Sequence, residues 1–222
     1  MLRLLSYIIV ISLVLVVIPD SHSRSRKTAR KESKVVTHEE YDKLLVHKAI
    51  EICRNVSSKH IDRSRRNAHR LLKVEKQADI PHLMYGMTLA AACSESGFNE
   101  SAKGDHKFSK KRKPKAIGIL QLWPWVKKYG VDRMNLESSA SFWLRHIVRQ
   151  KRIVRRRCKT RSEIKNWRQA WVTAIRAPKK TGRCNETPKH WRMFLKLQKF
   201  QKTLTVKTDK TAGSTHGHKT TN

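Results

Sequence analysis

The sequence predicts an all-α domain with a basic tail at each end. Apolar residues recur at helical spacing in several segments, and the period-two alternation typical of strands is weak throughout. A chain of 222 residues is long enough to bury one hydrophobic core and short enough for a single domain. Residues 24–36 and 201–222 are polar and lack apolar periodicity. We therefore expect a flexible basic leader, a disordered Lys/Thr-rich tail and a domain over residues 37–200.

The first three helices are predicted from apolar periodicity and from their start signals. Apolar side chains recur at helical spacing over residues 41–56, and Thr37 with Glu40 predicts a capping box before them. A second amphipathic helix is predicted over residues 65–77. The third begins at Pro81 and is apolar on almost every side, which predicts a central buried helix.

Three more helices are predicted in the second half of the chain. Their apolar faces are marked by Leu136, Ala140, Trp143, Leu144, Ile147 and Val148, by Ile164, Trp167, Trp171, Ala174 and Ile175, and by Trp191, Phe194, Leu195 and Leu197. Thr187 and Pro188 supply a cap and a first residue for the last of them.

The N-terminal segment has the composition of an export signal. Residues 4–18 form an apolar run with Arg3 before it and Pro19 after it, too short to span a bilayer comfortably. Small residues favour cleavage after Ser23, which gives a signal peptide over residues 1–23 and no membrane span after processing. We therefore expect a secreted or periplasmic protein. An uncleaved N-terminal anchor is the alternative.

Cysteine usage agrees with export. Four cysteines permit two disulfides in an oxidising compartment, and three pairings are possible. We favour Cys53 with Cys93, which ties the first helix to the third, and Cys158 with Cys184, which closes a local loop. Four buried free thiols are the alternative for a cytosolic protein. No cysteine pair has metal-site spacing and the histidines are scattered, so no metal or cofactor is expected.

The chain is strongly basic. Its 50 Lys and Arg against 17 Asp and Glu leave a formal net charge of +33, which selects polyanionic partners. Cell-envelope polymers are the expected ones. Nucleic acid is a competing partner but an unlikely one, because the sequence has no recognised nucleic-acid-binding motif and an exported protein seldom meets it. The charges are also compatible with solvated helix faces.

Glu95 closes the predicted central helix. The negative end of the helix dipole and apolar neighbours such as Phe98 disfavour an ionised carboxylate, so we expect a raised pKa for Glu95. A carboxyl group that stays protonated near neutral pH can donate its proton to a glycosidic oxygen. The alternative is a surface glutamate at a frayed helix end.

Two short segments carry a family resemblance. The Glu-Ser-Gly-Phe-Asn run of residues 95–99 and the Gly-x-x-Gln pattern of residues 118–121 resemble the catalytic core of soluble lytic transglycosylases and goose-type lysozymes. These enzymes cleave peptidoglycan between N-acetylmuramic acid and N-acetylglucosamine. The resemblance implies a lysozyme-like helical domain with a substrate cleft, in which Glu95 is the catalytic acid, Ser96 supports its carboxylate and Gln121 lines the cleft. It is clear over residues 81–129 and plausible to Gln198.

Aromatic residues near the second motif are candidates for binding sugar rings. Trp123 or Trp125 is expected to stack on a pyranose ring, and at least one of the two is expected in the core. The family's late Tyr-Asn-Ala-Gly-like motif is replaced by residues 174–177, so we expect Tyr129 or Tyr85 to supply its contact. The altered motif suggests a preference for modified peptidoglycan, for instance de-N-acetylated strands.

The number of carboxylates in the cleft decides the expected reaction. A lytic transglycosylase works with Glu95 alone, whereas a hydrolase commonly uses a second acid. Glu100 and Asp105 are the nearest candidates for that acid, and Asp105 is also expected to face the substrate. The basic residues 107–115 look like an insertion beside the groove, either a clamp for an anionic polymer or a solvated loop.

Three functional classes follow from the sequence. A monomeric enzyme that acts on peptidoglycan comes first. A non-catalytic cationic protein that binds cell walls or kills bacteria comes second, and a nucleic-acid-binding protein comes last.

Overall fold

The computed structural model describes residues 34–108, 111, 113–175, 184 and 187–206, all within the unit formed by residues 32–222. The described part is mostly helical. Its α-helices are α1 (His38–Ile52), α2 (Ile61–Lys76), α3 (Met87–Ser96), α4 (Leu136–Cys158), α5 (Glu163–Ile175) and α6 (Trp191–Gln201). Its strands are β1 (Lys34–Val36), β2 (Lys103–Gly104), β3 (Ala116–Ile117) and β4 (Leu204–Val206), and its 3-10 helices are Ser58–His60, His82–Met84, His106–Phe108 and Pro124–Tyr129.

The start of α1 confirms the predicted capping box. The Thr37 hydroxyl accepts a hydrogen bond from the Glu40 backbone N–H, and the Glu40 carboxylate accepts one from the Thr37 backbone N–H. Two of the free donors at the helix start are thereby satisfied. The apolar face of α1 packs against α2, α3 and α6.

The central helix α3 is shorter than predicted. Pro81 begins only a 3-10 turn, and Gly86 adopts a left-handed conformation with φ of 90°, so α3 begins at Met87. All residues of α3 from Met87 to Cys93 are buried, and Met84 is buried beside it. The central, buried position predicted for this helix is confirmed.

The second half of the chain forms the expected helices with different bounds. Helix α4 continues ten residues past Val148 because Val154 still packs into the interior and Cys158 is tied by a disulfide. Helices α4 and α5 pack against each other, and α5 buries Trp167 and Trp171.

Both predicted domain boundaries require correction. Strand β1 pairs in parallel with β4, with Lys34 opposite Leu204 and Val36 opposite Val206, so the ordered domain begins before residue 37 and ends after residue 200. The pairing buries Val36 almost completely. Three-residue strands are too short to give a periodic signal, which is why the sequence did not predict them. A second small sheet joins β2 and β3 in antiparallel orientation.

The disulfides are Cys53–Cys93 and Cys158–Cys184, as predicted. They are compatible with an extracellular or periplasmic location. Within the described residues, no helix has the length and apolar character needed to cross a membrane. The predicted signal peptide and the leader up to residue 33 lie outside the described residues, as do residues 207–222.

Candidate active site

Glu95 lies in the last turn of α3, and the turn after it is held by a left-handed glycine. The Gly97 N–H donates to the Cys93 carbonyl and the Phe98 N–H to the Ala92 carbonyl, which closes the helix. Gly97 has φ of 60°, and a Cβ there would lie 2.2 Å from the Asn55 carbonyl oxygen. Only glycine fits this position without displacing the backbone.

Polar side chains from other elements satisfy the carbonyl groups around this helix end. Asn55 Nδ2 donates to the Cys93 carbonyl at 3.1 Å, and Asn67 Nδ2 donates to the Phe98 carbonyl at 3.0 Å. Ser64 Oγ donates to the Gly97 carbonyl at 3.3 Å. The backbone that carries Glu95 is therefore fixed by α2 and by the segment after α1, not by its own sequence alone.

A pocket of about 400 Å³ opens beside Glu95. It combines residues from both family-like segments with residues of α4, α5 and the segment before α6. Its lining residues are Ala91, Ser94, Glu95, Gly104, Asp105, Leu120, Gln121, Leu122, Trp123, Trp125, Trp143, Ala174, Lys189 and His190. The structure thus brings together four of the predicted site residues, namely Glu95, Asp105, Gln121 and Trp123.

A lysine and a histidine contact the Glu95 carboxylate. Lys189 Nζ lies 3.0 Å from Oε1 and 3.1 Å from Oε2. His190 Nε2 lies 2.7 Å from Oε1, and this contact is an ion pair when the imidazole is protonated. The side chain of Glu95 is 16% exposed and His190 is 1% exposed, whereas the Lys189 side chain is 62% exposed.

These contacts overturn the predicted pKa of Glu95. Burial by itself would raise the pKa, but His190 and Lys189 stabilise the carboxylate and hold the pKa of Glu95 below its usual range. The helix dipole and the apolar neighbours are only part of the environment of Glu95. Lys189 and His190 belong to a segment more than 90 residues further along the chain, so local sequence signals do not predict their contact with Glu95.

The loop that carries Gln121 is held by tight backbone contacts. A Cβ on Gly118 would lie 1.8 Å from the Arg133 carbonyl oxygen, so the loop requires glycine there. Gln121 has φ of 50°, and its Nε2 donates to the carbonyls of Gly118 at 2.8 Å and Ala102 at 3.1 Å. Gln121 therefore fixes the shape of the pocket wall, with its amide donors already used.

Asp105 and Trp123 form the outer wall of the pocket. Trp123 Nε1 donates to Asp105 Oδ2 at 2.8 Å, and the Trp123 side chain remains 37% exposed. Phe108 packs against the Trp123 ring, and Lys115 Nζ lies 5.8 Å from the ring centroid. The ends of the basic segment 107–115 therefore border the pocket, while residues 109, 110 and 112 lie outside the described residues.

Several expectations about site residues are wrong. Ser96 Oγ donates to the Ile119 carbonyl at 2.8 Å and to the Ala92 carbonyl at 3.2 Å, so it joins the two motif segments and does not support the Glu95 carboxylate. Tyr129 lies outside the pocket lining and packs with Trp125 and Phe142.

Tyr85 and Glu100, two further candidates for the site, lie outside the pocket. The Tyr85 hydroxyl donates to Asp42 in a different cavity. Glu100 Oε2 lies 2.9 Å from Arg70 Nη1, and Glu100 does not line the pocket. Asp105 is therefore the second carboxylate in the pocket lining, after Glu95.

The pocket also contains residues that the sequence reasoning missed. Lys189 and His190 precede α6, next to the Thr187 and Pro188 start signal, which was interpreted only as a helix cap. Ala174, the first of the residues 174–177 that were expected to replace a tyrosine-containing motif, does line the pocket. The side chain of Ala174 is too small to reach the carboxylate, and His190 makes the contact instead.

Comparison of the chain with protein-family models, with curated proteins and with solved structures finds no match.

Proposed function

We propose that this protein cleaves the glycan strands of peptidoglycan at the bond between N-acetylmuramic acid and N-acetylglucosamine, with Glu95 as the acid and base. One observation carries the proposal. A mostly buried carboxylate opens onto a pocket whose walls come from both family-like segments and include an exposed tryptophan. The proposal includes two further points. The domain has a lysozyme-like fold with a substrate cleft, and the enzyme is exported and acts on the cell wall.

The lowered pKa of Glu95 assigns roles to its neighbours. Lys189 and His190 stabilise the Glu95 carboxylate that forms when the proton is transferred. The protonated carboxyl gives its proton to the glycosidic oxygen as the bond to the anomeric carbon breaks. The carboxylate then removes the proton of the muramyl C6 hydroxyl, whose oxygen attacks the anomeric carbon and leaves a 1,6-anhydro end. Glu95 regains its proton in that step, so the cycle balances.

Asp105 provides a route to the alternative chemistry. A water activated by Asp105 would attack the anomeric carbon and leave a reducing end, as in hydrolysis. The same carboxylate would bind the free ammonium group of a de-N-acetylated sugar, which would account for a preference for modified peptidoglycan. We favour the single-acid reaction because Asp105 already accepts a hydrogen bond from Trp123.

The test is mass spectrometry of fragments released from purified peptidoglycan. The wild type is expected to release anhydro-ended fragments, and Glu95→Gln is expected to lower the rate at least about 1000-fold. Glu100→Gln is the matched control, because Glu100 follows the same helix but lies outside the pocket, and should keep wild-type activity. Fragments with reducing ends would assign hydrolysis instead. Full activity of the folded Glu95→Gln protein would refute the enzymatic proposal.

A second function has its own support. The net charge of +33 suits a cationic protein that binds cell walls or kills bacteria without catalysis. In that case Glu95→Gln would leave the antibacterial effect intact, while added salt would abolish it.

A further inference from the structure

Helix α4 carries a row of arginines along its exposed face. Arg145, Arg149, Arg152 and Arg155 are all exposed and follow one another at helical spacings of four, three and three residues. Their axial separations are about 4.5 to 6 Å, from a rise of about 1.5 Å per residue. The row lies on the side of α4 away from Trp143, which lines the Glu95 pocket, so it forms a separate surface.

These arginines border a continuous groove, which we call the arginine furrow. Three adjoining cavities of about 510, 400 and 380 Å³ follow α4. The first and second share Asp79, Val148 and Arg152 as lining residues, and the second and third share Arg155 and Glu163. The furrow therefore runs along much of α4 and has the shape to hold an extended chain.

The charge of the furrow is largely uncompensated. Among the described residues, no carboxylate lies within ion-pair distance of the four guanidinium groups. Glu163 is paired with Lys151, accepts a hydrogen bond from Trp167 Nε1 and interacts more weakly with the charge of Arg155, which leaves Asp79 as the one unpaired acid in the lining. Like charges three and four residues apart destabilise a helix, so this arrangement has a stability cost that a ligand would remove.

The predominance of arginine over lysine in α4 favours a phosphate group as the ligand. Of the seven lysines and arginines of α4, six are arginine, and the guanidinium group binds a phosphate through two parallel hydrogen bonds, which lysine does not do. The floor of the furrow is apolar, with Val74, Ala78 and Val148 among its residues. Such a floor suits the methylene groups of a polyol chain.

We propose that the arginine furrow binds a cell-surface polymer whose repeating units are joined by phosphodiester groups. The two disulfides favour an oxidising compartment over the cytosol, where nucleic acids are found. Single-stranded nucleic acids are bound by stacking on exposed aromatic rings, and Trp167, the aromatic residue in the furrow lining, is only 2% exposed. The furrow acts independently of the Glu95 pocket.

Binding of poly(glycerol phosphate) to the full-length protein tests the proposal. One variant changes Arg145, Arg149, Arg152 and Arg155 to Gln, and a second changes the same four to Lys. The matched control changes Lys127, Arg192, Lys196 and Lys199 to Gln, which removes the same charge from exposed positions outside the furrow. Thermal unfolding identifies the folded variants, and Glu95→Gln separates this site from catalysis because it should bind like the wild type.

The expected results differ between the variants. The four Gln substitutions should lower affinity at least about 100-fold and reduce the slope of log affinity against log salt by about 3. The four Lys substitutions should lower affinity about 10-fold although the charge is unchanged. The control should stay within about threefold of the wild type. Equal losses in the control and furrow variants would overturn the proposal, and so would tighter binding of single-stranded DNA with the same number of phosphates.

Discussion

A carboxylate lies at each end of helix α3, buried at the first turn and mostly buried at the last, and the two carboxylates have opposite pKa shifts. At the first turn, Glu75 of α2 accepts hydrogen bonds from the N–H groups of Gly86 at 2.7 Å, Met87 at 3.1 Å and Thr88 at 3.1 Å, and from the Thr88 hydroxyl. Burial raises the pKa of Glu75 to about 7. At the last turn, Glu95 has a pKa below its usual range.

The comparison shows what decides the charge of a buried acid. Burial favours the protonated form at both positions. The four donors around Glu75 are neutral groups, and together they offset only part of the cost of burial. Glu95 meets Lys189 and His190 instead, and a nearby positive charge outweighs burial. Glu75 therefore has the environment of a structural cap, while Glu95 has that of a reactive group open to a pocket.

The largest effect on stability is expected for Glu75→Gln. The amide nitrogen of Gln would face an N–H donor at one of the two oxygen positions, so at least one donor of the α3 start would lose its acceptor. At about pH 4.5, where the contribution of Glu75 to stability is complete, we expect a loss of about 3 kcal/mol in the free energy of unfolding, measured by urea denaturation. Glu51→Gln, at an exposed position of α1, should cost less than about 0.5 kcal/mol. Equal losses of unfolding free energy for Glu75→Gln and Glu51→Gln would show that the buried hydrogen bonds of Glu75 do not stabilise the fold.

The pH dependence of stability tests the raised pKa of Glu75. Because the folded state binds this proton more tightly than the unfolded state, stability is greatest below about pH 4.5 and falls as the pH rises through about 7. The loss is expected to be about 3 kcal/mol. The difference in unfolding free energy between wild type and Glu75→Gln isolates this contribution, since Gln does not titrate. If this difference stays constant from pH 4 to 8, burial does not raise the pKa of Glu75.

At the other end of α3, His190→Gln is expected to raise the pKa of Glu95, because burial is then opposed mainly by Lys189. A ¹³C NMR titration of the Glu95 carboxyl measures the shift directly, and Glu95→Gln assigns the signal. We also expect peptidoglycan cleavage to slow by about 10- to 100-fold, with a displaced pH profile. A lower pKa of Glu95 in His190→Gln would show that His190 does not stabilise the Glu95 carboxylate.

The smallest effect is expected for Lys189→Met. This ammonium group is largely exposed, so solvent and salt screen its charge more than that of buried His190. The pKa of Glu95 should rise by less than in His190→Gln, and the difference from the wild type should shrink at high salt. The same NMR titration at two salt concentrations measures it. A larger, salt-independent rise would show that Lys189 is the dominant partner.

Part of the site was predictable from the sequence, because it depends on residues that are close together along the chain. The helix that carries Glu95 in its last turn, the glycine that ends this helix and the later Gln121 segment all have short-range signals, and the structure places both segments at one pocket. The disulfide pairing followed from the cysteine positions. The role of Glu75 was not predicted, because its partners at the start of α3 are more than ten residues away along the chain.

The sequence by itself determined the helical class, the α1 cap, the central α3 and the position of Glu95, because these depend on periodicity and on contacts within a few residues. Tertiary structure decided the β1–β4 pairing, the environment of Glu75 and the approach of Lys189 and His190 to Glu95. Burial and charge act through space, and groups that are distant along the chain set them. The ionisation of the candidate catalytic carboxyl was therefore fixed only when the chain folded.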